Sequence, residues 1–439
     1  MKKKYLFIVL ENFNREINSK LLIASEAINK NFTVIIGNRV VLYSIKKYLP
    51  SGAILDKGGG YQLYDIFKSL KKDNNKIFVL DEESLTYASE KQYLKLNFYK
   101  KNLKYIDNFF LSNQIQFDLL KKNKIKNSQL VLTGNPKFEF YKKKYKKIHF
   151  EIKKKLKIRN YILMTSRFGH INPNKIQLDD INKLDKTYLK TSNLIYKKFI
   201  KLAKIISNEF PKKIIIYRPH PSENEKKLLE IFKFNKNIKV VYEGGVEKYI
   251  LNSLVVIHNR CTTGFESILL DKKTIHFDPI IYNSMHSAFF RILGIRCTSY
   301  SQVINIIKKI NAKNVNFFQK KYFKAISKKY CEEIYNSYPE KKILNYINSK
   351  KYLETAEINL GKKFFLILIS IKKFMNEFLV QYFNLKNERL NLNYRIQKFG
   401  VFNKDLVITI LNKIMQIKKY KFKLKFSYLC KDVMMIKKC

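Results

Sequence analysis

Short apolar runs alternate with amphipathic stretches over the first 290 residues of the chain. Residues 5–10 are continuously apolar, residues 15–30 carry apolar side chains at helical spacing, and residues 32–36 are mostly apolar again. A buried strand, a helix and a second buried strand in that order are typical of a unit with parallel strands. The pattern therefore predicts an α/β fold built on parallel sheets.

The same rhythm runs through two consecutive regions. The further predicted strands are residues 76–80, 108–111 and 129–132 in the first region and 161–164, 213–217, 238–241, 254–257 and 274–277 in the second. A strongly basic stretch, residues 142–157, is poor in Gly and Pro and is predicted to join the regions. We therefore predict two Rossmann-like domains, residues 1–150 and 151–345.

The pattern changes after about residue 345. Apolar residues then recur at heptad spacing with lysines on either side; they are Phe364, Leu368, Ile371, Met375, Phe378, Tyr382 and Leu385. Such a stripe most often packs on a neighbouring domain, and the alternative is that the helix lies on an anionic membrane surface. We predict a basic, amphipathic helical extension over residues 346–439.

The net charge of +52 allows two interpretations. A basic surface attracts nucleic acid, whereas a bias towards Lys, Asn and Ile makes a chain basic throughout and suits an anionic inner-membrane surface. The lysines are spread along the whole chain, without a zinc-finger or RNA-binding aromatic motif. This favours the second interpretation, so no specific nucleic-acid partner is predicted.

Cysteine usage and hydropathy bear on the compartment. Five cysteines without a Cys-x-x-Cys pair indicate a reducing compartment and predict neither a disulfide framework nor a metal site. Residues 5–10 are too short for a signal peptide, and no run approaches the ~20 apolar residues of a membrane span. We expect a cytoplasmic protein, with peripheral binding to the inner face of the membrane as an option.

Two stretches at predicted strand ends carry phosphate-binding chemistry. The His-Pro motif, residues 217–221, supplies a cationic Arg218 and the imidazole of His220, with prolines beside both. The Thr-Thr motif, residues 258–266, supplies hydroxyls and backbone N–H groups where a helix begins. Strand ends of a parallel sheet meet at one edge. We therefore predict a cradle for a nucleotide phosphate, although a lone histidine capping a strand is the more common case.

An acidic motif follows another predicted strand. Asp81, Glu82 and Glu83 come directly after residues 76–80 and precede Ser84. Crowded carboxylates have raised pKa values, which suits a general base. Acidic residues also favour the first turn of a helix, and position alone leaves both interpretations open.

These stretches resemble a family of bacterial surface-carbohydrate biosynthesis proteins of capsule and lipopolysaccharide assembly. The family is related to the Kdo transferases of capsule export and, more distantly, to bacterial sialyltransferases. The likeness covers about residues 5–290, including Glu11, Arg15–Glu16 and residues 20–24 of the opening helix and the turn at residues 133–136. It implies the GT-B fold, in which two Rossmann-like domains face a cleft.

The resemblance also implies roles for individual residues. The acidic residue before Gly in the family motif is the general base, which corresponds to Glu83, but Ser84 stands in the place of Gly and leaves Asp81 and Glu82 as alternatives. The donor phosphate is contacted by the His-Pro and Thr-Thr motifs. The residues carried over to donor binding are Arg218, His220, Pro221, Asn259, Thr262, Thr263, Gly264 and Glu266, of which Glu266 is assigned to a ribose hydroxyl.

The implied activity is inverting, metal-independent transfer of a sugar from a CMP-sugar to a glycan or lipid-linked acceptor. No cofactor beyond this nucleotide-sugar substrate is expected, and no Asp-x-Asp occurs in the sequence. Three alternatives remain: a CDP-glycerol-type glycerophosphotransferase, a polyanion-binding protein, and a degenerate transferase that acts as a scaffold.

Overall fold

The computed structural model of the chain describes residues 3–82, 90–154, 157–173, 186–280, 290–311, 338–349, 368 and 399–439. The strands are β1 (Lys4–Leu10), β2 (Phe32–Asn38), β3 (Ala53–Asp56), β4 (Lys76–Leu80), β5 (Asn108–Leu111), β6 (Leu130–Leu132), β7 (Tyr161–Thr165), β8 (Ile215–Arg218), β9 (Ile238–Val240), β10 (Ser253–His258), β11 (Thr274–Phe277), β12 (Ile295–Cys297), β13 (Leu424–Cys430) and β14 (Val433–Lys438).

Helices cover the stretches between these strands. They are α1 (Phe13–Asn29), α2 (Arg39–Ile45), α3 (Tyr64–Lys72), α4 (Glu90–Asn97), α5 (Gln114–Lys122), α6 (Pro136–Phe140), α7 (Lys146–Lys154), α8 (Lys186–Glu209), α9 (Glu225–Ile231), α10 (Val246–Asn252), α11 (Thr262–Leu269), α12 (Tyr300–Asn311), α13 (Pro339–Ser349) and α14 (Lys404–Ile417).

The chain divides into two compact units. Among the described residues, unit 1 comprises residues 3–82, 90–140, 338–349, 368 and 399–439, and unit 2 comprises residues 141–154, 157–173, 186–280 and 290–311. Each is an α/β unit around a largely parallel sheet, which confirms the predicted class of two Rossmann-like domains. None of the helices in the described ranges is long and apolar enough to cross a membrane.

Unit 1 is built on a sheet in the order β13-β14-β2-β1-β3-β4-β5-β6. The six strands β2, β1, β3, β4, β5 and β6, named in sheet order, are parallel and almost fully buried. Their apolar side chains pack against the helices on both faces. Asn12 caps α1 by accepting the N–H of Arg15, which fixes where the helix starts after β1. The charged residues that follow these strands are thereby collected at one edge of the sheet.

Unit 2 has a six-stranded parallel sheet in the order β12-β11-β10-β7-β8-β9. The chain runs outwards from β7 to β9 and then returns to the other side of β7 with β10, so the strand order reverses between β7 and β10. In open α/β sheets, ligands bind at such a switch point, outside the carboxyl ends of the strands. The His-Pro and Thr-Thr motifs both follow strands that flank β7.

The structure places the domain boundaries differently from the sequence prediction. The predicted linker contributes α7 to unit 2, because Tyr145 and Ile148 are buried and α7 packs on α10. Helix α13, predicted within the second domain, belongs to unit 1, because Ile343, Leu344 and Ile347 are buried and the helix packs on α1.

The last forty residues also join unit 1 instead of forming a separate helical extension. Helix α14 packs on α1, and β14 pairs antiparallel with β2, bringing β13 with it. The reason is visible in residues 433–436, a continuous apolar run that covers the edge of β2. The predicted amphipathic helix at residues 364–385 lies outside the described residues, apart from Leu368.

Candidate functional site

One row of paired residues crosses the carboxyl edge of the sheet in unit 2. Thr165 at the end of β7 pairs with Arg218 on one side and with His258 on the other. His258 in turn pairs with His276, and His276 with Arg296. The loops that follow these strands therefore all begin at the same edge of the sheet. The ends of β8 and β10, which flank β7, lie about 10 Å apart, two strand spacings.

Glu223 joins the loops that follow β7 and β8. Its Oε1 accepts the hydroxyl of Ser166 at 2.6 Å, the N–H of Phe168 at 3.1 Å and the N–H of His220 at 2.9 Å. The side chain is fully buried, and burial raises its pKa to about 7. Gly169 allows these two loops to approach each other closely, because a Cβ at this position would lie 1.9 Å from the hydroxyl of Ser222.

The imidazole of His220 is oriented by Ser222. The backbone N–H of Ser222 donates to Nδ1 at 3.2 Å, and the Ser222 hydroxyl lies 2.7 Å from the same atom. Nδ1 is thus an acceptor, so in the neutral ring the proton is on Nε2. The side chain is half-buried, as is Pro221 beside it. His220 can therefore offer an oriented N–H donor to an anion.

Arg218 is held by the loop after β9 and by two tyrosines. Its guanidinium donates to the carbonyls of Glu243 and Gly244 and lies 4.7 Å from the ring centroid of Tyr249. Burial lowers its pKa, while Tyr249, Tyr242, Glu247 and Glu266 raise it. The strand pairing of β8 and β10 with β7 brings the His-Pro and Thr-Thr motifs to the same edge. Arg218 as a whole residue is half-buried.

The start of α11 depends on a close contact between Gly264 and His258. A Cβ on Gly264 would lie 2.3 Å from Nε2 of His258. That ring is fixed, because Nε2 donates to the carbonyl of Leu293 at 2.6 Å and Nδ1 accepts the N–H of Cys261 at 3.4 Å. Burial lowers the pKa of His258 to about 4, so the ring is neutral. Thr262 and Thr263 occupy the first turn of the helix, where backbone N–H groups have no helical acceptor.

Two residues of the Thr-Thr motif are engaged inside the protein. Asn259 is buried, and its amide donates to the carbonyl of Phe277 at 2.7 Å, which ties the end of β10 to β11. Glu266 is also buried, and its carboxylate accepts the hydroxyl of Tyr141 at 3.3 Å. The same hydroxyl lies 3.2 Å from Glu247. The ribose contact assigned to Glu266 stays a prediction.

The acidic motif lies at the carboxyl edge of unit 1. Asp81 is buried and accepts hydrogen bonds from Tyr93 and from the amide of Gln116, which fixes it as part of the core. Glu82 lies 3.2 Å from the buried ammonium of Lys20 and 3.3 Å from the hydroxyl of Ser19. Glu83 and Ser84 lie outside the described residues.

A charged network missed by the sequence analysis surrounds Glu82. Glu16 is buried at the start of α1, accepts the N–H of Glu11 at 2.9 Å and lies 3.4 Å from Lys57. Burial raises the pKa of Glu16; Lys57 and Lys20 oppose that effect, whereas Glu82 and Glu11 add to it. The signal was present, since Glu16 and Lys20 are four residues apart on one face of a helix.

The arrangement of the His, Cys, Asp and Glu side chains decides whether the described residues could hold a metal ion or cofactor. No three His, Cys, Asp or Glu side chains lie close enough together to form a metal site in the ranges that the structure covers. Cys261, Cys297 and Cys439 are free thiols. His258 and His276 stack at 5.1 Å between centroids and are both fully buried, as core residues.

Comparisons with known proteins identify the fold. The structure resembles a putative UDP-N-acetylglucosamine 2-epimerase from Listeria monocytogenes, with a TM-score of 0.52 and 11% identity over 79% of this chain and 96% of that chain. It resembles the wall teichoic acid polymerase TagF, with a TM-score of 0.51 and 13% identity over 79% and 87%. MnaA from S. aureus gives a TM-score of 0.50 and 12% identity over 80% and 100%.

These similarities define the class of protein as one with the GT-B fold, as the sequence predicted. No family model matches the chain, and no curated protein matches it. At identities of 11 to 13% the likeness shows the fold alone. Function must therefore be argued from the residues at the strand ends.

Proposed function

We propose that this protein is a GT-B transferase of bacterial surface-carbohydrate biosynthesis that moves a group from a nucleotide-activated donor to an acceptor hydroxyl. The observation that carries the proposal is the shared edge in unit 2, where Arg218, the oriented Nε2–H of His220 and the first turn of α11 flank the switch point. MnaA is described with UDP and TagF with CDPG, so two proteins of this fold take nucleotide compounds.

The donor proposed from the family resemblance is a CMP-sugar. A phosphate on the donor would leave with negative charge developing on it, and preorganised donors aimed at that charge supply the largest expected catalytic term. His220 is suited to this because Ser222 and Glu223 fix its ring and backbone. Direct displacement would invert the anomeric centre, and no divalent ion is assigned a role. Loss of activity with a chelator, reversed by manganese, would contradict metal independence.

The acceptor hydroxyl has to lose a proton, and the proposed base belongs to the acidic motif. Asp81 is engaged by Tyr93 and Gln116, which favours its neighbours for this role. Glu82, held by Lys20 and Ser19, is the candidate within the described residues, and Glu83 keeps the role that the family resemblance implies. The acceptor is proposed to be a glycan or a lipid-linked glycan at the cytoplasmic face of an anionic membrane.

Calorimetry with CMP, CDP, UMP and UDP, followed by mass analysis of the transfer product, tests the proposal. His220→Ala should lower nucleotide affinity and transfer by about 10²-fold if the phosphate charge is stabilised there. Arg159→Gln is the matched control, because Arg159 is an exposed cation just before β7, at the opposite edge of the same sheet. Wild-type turnover in His220→Ala would remove the proposed site.

The same experiment separates the alternatives. A product that carries glycerol phosphate would identify a CDP-glycerol-type transferase. The charge of +52 favours one further candidate, a polyanion-binding protein. That candidate predicts RNA binding that weakens steeply with salt and survives both His220→Ala and Glu82→Gln.

A further inference from the structure

A second group of cations lies at the carboxyl edge of unit 2, around the switch point between β7 and β10. Thr165, His258 and His276 are paired in one row across β7, β10 and β11. Two residues beyond each of them come Arg167, Arg260 and Asp278. The register of three parallel strands therefore delivers two guanidinium groups and one carboxylate to neighbouring positions.

Asp278 is the counter-ion of this group. Its Oδ1 accepts from Nη2 of Arg260 at 2.9 Å, and its Oδ2 accepts from Nε of Arg296 at 3.0 Å. Asp278 is fully buried and Arg260 is 2% exposed. Arg260 has a φ of +45°, an unusual backbone conformation for a residue with a Cβ. The loop thus keeps a strained geometry that turns Arg260 towards Asp278, just before α11 begins.

Several guanidinium groups share the surroundings of Asp278. Burial lowers the pKa of the Arg260 guanidinium, Asp278 opposes this, and Arg167 and Arg291 lower the pKa further by repulsion. Arg260 is therefore in a cationic environment. Neighbouring His258 is neutral, its pKa lowered to about 4 by burial with a contribution from Arg167.

Arg167 contributes a buried donor that needs an acceptor. Its Nε is buried and has no hydrogen-bond partner in the part of the chain that the structure describes. The residue as a whole is partly exposed to solvent. A buried donor without an acceptor costs free energy, and an oxyanion would supply the missing acceptor.

We propose that Arg167 and Arg260 form an oxyanion subsite beside the start of α11, which accepts a phosphate or carboxylate group of the donor in addition to the phosphate bound near His220. Planar guanidinium groups match both oxyanions through paired hydrogen bonds. The site lies one to two strand spacings, about 5 to 10 Å, from the end of β8. The identity of the ligand rests on the proposed function, whereas oxyanion binding by these arginines does not.

The test compares wild type, Arg167→Gln and the control Arg159→Gln. Arg167→Gln removes the charge but no observed hydrogen bond, so the unliganded variant should unfold at the same or a higher temperature. Calorimetry with CMP, CDP and the acidic nucleotide-sugar CMP-N-acetylneuraminate measures the subsite within the proposed donor site. Thermal stabilisation by inorganic pyrophosphate measures oxyanion binding without a nucleotide.

Two results support the subsite and distinguish its ligand. A loss of about tenfold or more for CDP but not for CMP in Arg167→Gln identifies a second phosphate. A similar loss for CMP-N-acetylneuraminate but not for CMP identifies a carboxylate. Arg159→Gln should match wild type in every titration.

Other results separate this proposal from the proposed function. Pyrophosphate could stabilise wild type but not Arg167→Gln while neither protein binds a nucleotide. That result would support the oxyanion subsite and contradict the proposed transferase function. Affinities and pyrophosphate stabilisation in Arg167→Gln within twofold of wild type, or no response to any of these probes, would overturn the subsite.

Discussion

Glu223 accepts the backbone N–H of His220 at 2.9 Å and thereby fixes the residue proposed to contact the donor phosphate. The same oxygen accepts from Ser166 and Phe168 in the loop after β7, so one carboxylate oxygen joins two strand-end loops. The second oxygen, Oε2, is buried and has no hydrogen-bond partner among the residues that the structure covers. An ionised carboxylate is costly in this environment.

Replacing Glu223 by Gln should change how stability depends on pH. The pKa of Glu223 is raised from its usual 4.5 to about 7, so the folded protein keeps a proton that the unfolded chain loses across this interval. The contribution of Glu223 to stability therefore falls as pH rises through the interval and stays low above it. Glu223→Gln should gain about 3 kcal/mol relative to wild type between pH 4.5 and 8.

Urea unfolding of both proteins at several pH values measures this difference. The titration of His258 affects both proteins equally. Its lowered pKa reduces the stability of each protein as pH falls from 6.5 towards 4, so the difference between them does not depend on His258. Stability curves for the two proteins that run parallel across the whole range would show that Glu223 is ionised in the folded state.

The sequence predicted the elements that are buried on both sides, for a physical reason. Residues 77–80 and 109–111 are unbroken apolar runs, and each forms all but the first residue of β4 and β5 respectively. Strand β3, Ala53–Asp56, was missed because Ala and Asp are both depleted in strands, which leaves only two large apolar residues in the run. Strands β13 and β14 were missed although residues 421–428 alternate strictly between polar and apolar side chains, a period of two that is typical of a strand.

The candidate site could be predicted only in part. The positions of Arg218 and Thr262 at strand ends follow from local pattern, and the structure brings both motifs to one edge of unit 2. The pairing of Glu223 with the loop at Ser166 joins residues 57 positions apart and has no local signature. The same applies to Arg260 with Asp278, since the contact exists only once β10 and β11 are paired.

Gly264→Ala should destabilise the protein although Ala is the better helix former. The new Cβ would lie 2.3 Å from a ring that two hydrogen bonds hold in place. Overpacking of this kind costs about 1–3 kcal/mol, more than the roughly 1 kcal/mol that Ala gains over Gly in a helix. We expect a lower unfolding midpoint in urea and weaker nucleotide binding, since the start of α11 is displaced.

Gly58→Ala is the control for that substitution. A Cβ at Gly58 would meet the Asn97 side chain at 3.7 Å, an ordinary contact. A Gly264→Ala protein as stable as Gly58→Ala would mean that His258 can move aside without cost.

Lys20 and Glu82 should behave as a coupled pair. Lys20 is fully buried and its Nζ lies 3.2 Å from Glu82, so Glu82→Gln leaves a buried ammonium without this counter-ion. We expect a loss of about 3 kcal/mol for Glu82→Gln and substantial recovery in the double variant Lys20→Met with Glu82→Gln. Urea unfolding of the four proteins gives the coupling energy. Additive effects would show that Lys20 is neutralised by other groups, and only a stably folded Glu82→Gln can test Glu82 as the base.

The last strand, β14, should be the point at which unit 1 is most sensitive to a single added methyl group. Gly37 on β2 pairs with Val433, and a Cβ on Gly37 would lie 2.4 Å from the carbonyl oxygen of Asp432. That oxygen also accepts the N–H of Asn38 at 3.0 Å, so neither backbone can withdraw without breaking the strand pair.

Gly37→Ala is therefore expected to lower stability by about 1–3 kcal/mol and to loosen the hairpin at residues 424–438. Limited proteolysis should then cleave within this hairpin faster than in wild type, while Gly58→Ala keeps the wild-type cleavage pattern. Displacement of β14 would also expose Ile36, which pairs with Met434, and a bare apolar edge favours association between molecules. Light scattering under native conditions should thus rise for Gly37→Ala, and unchanged proteolysis together with unchanged scattering would mean that β14 adapts to the added methyl group.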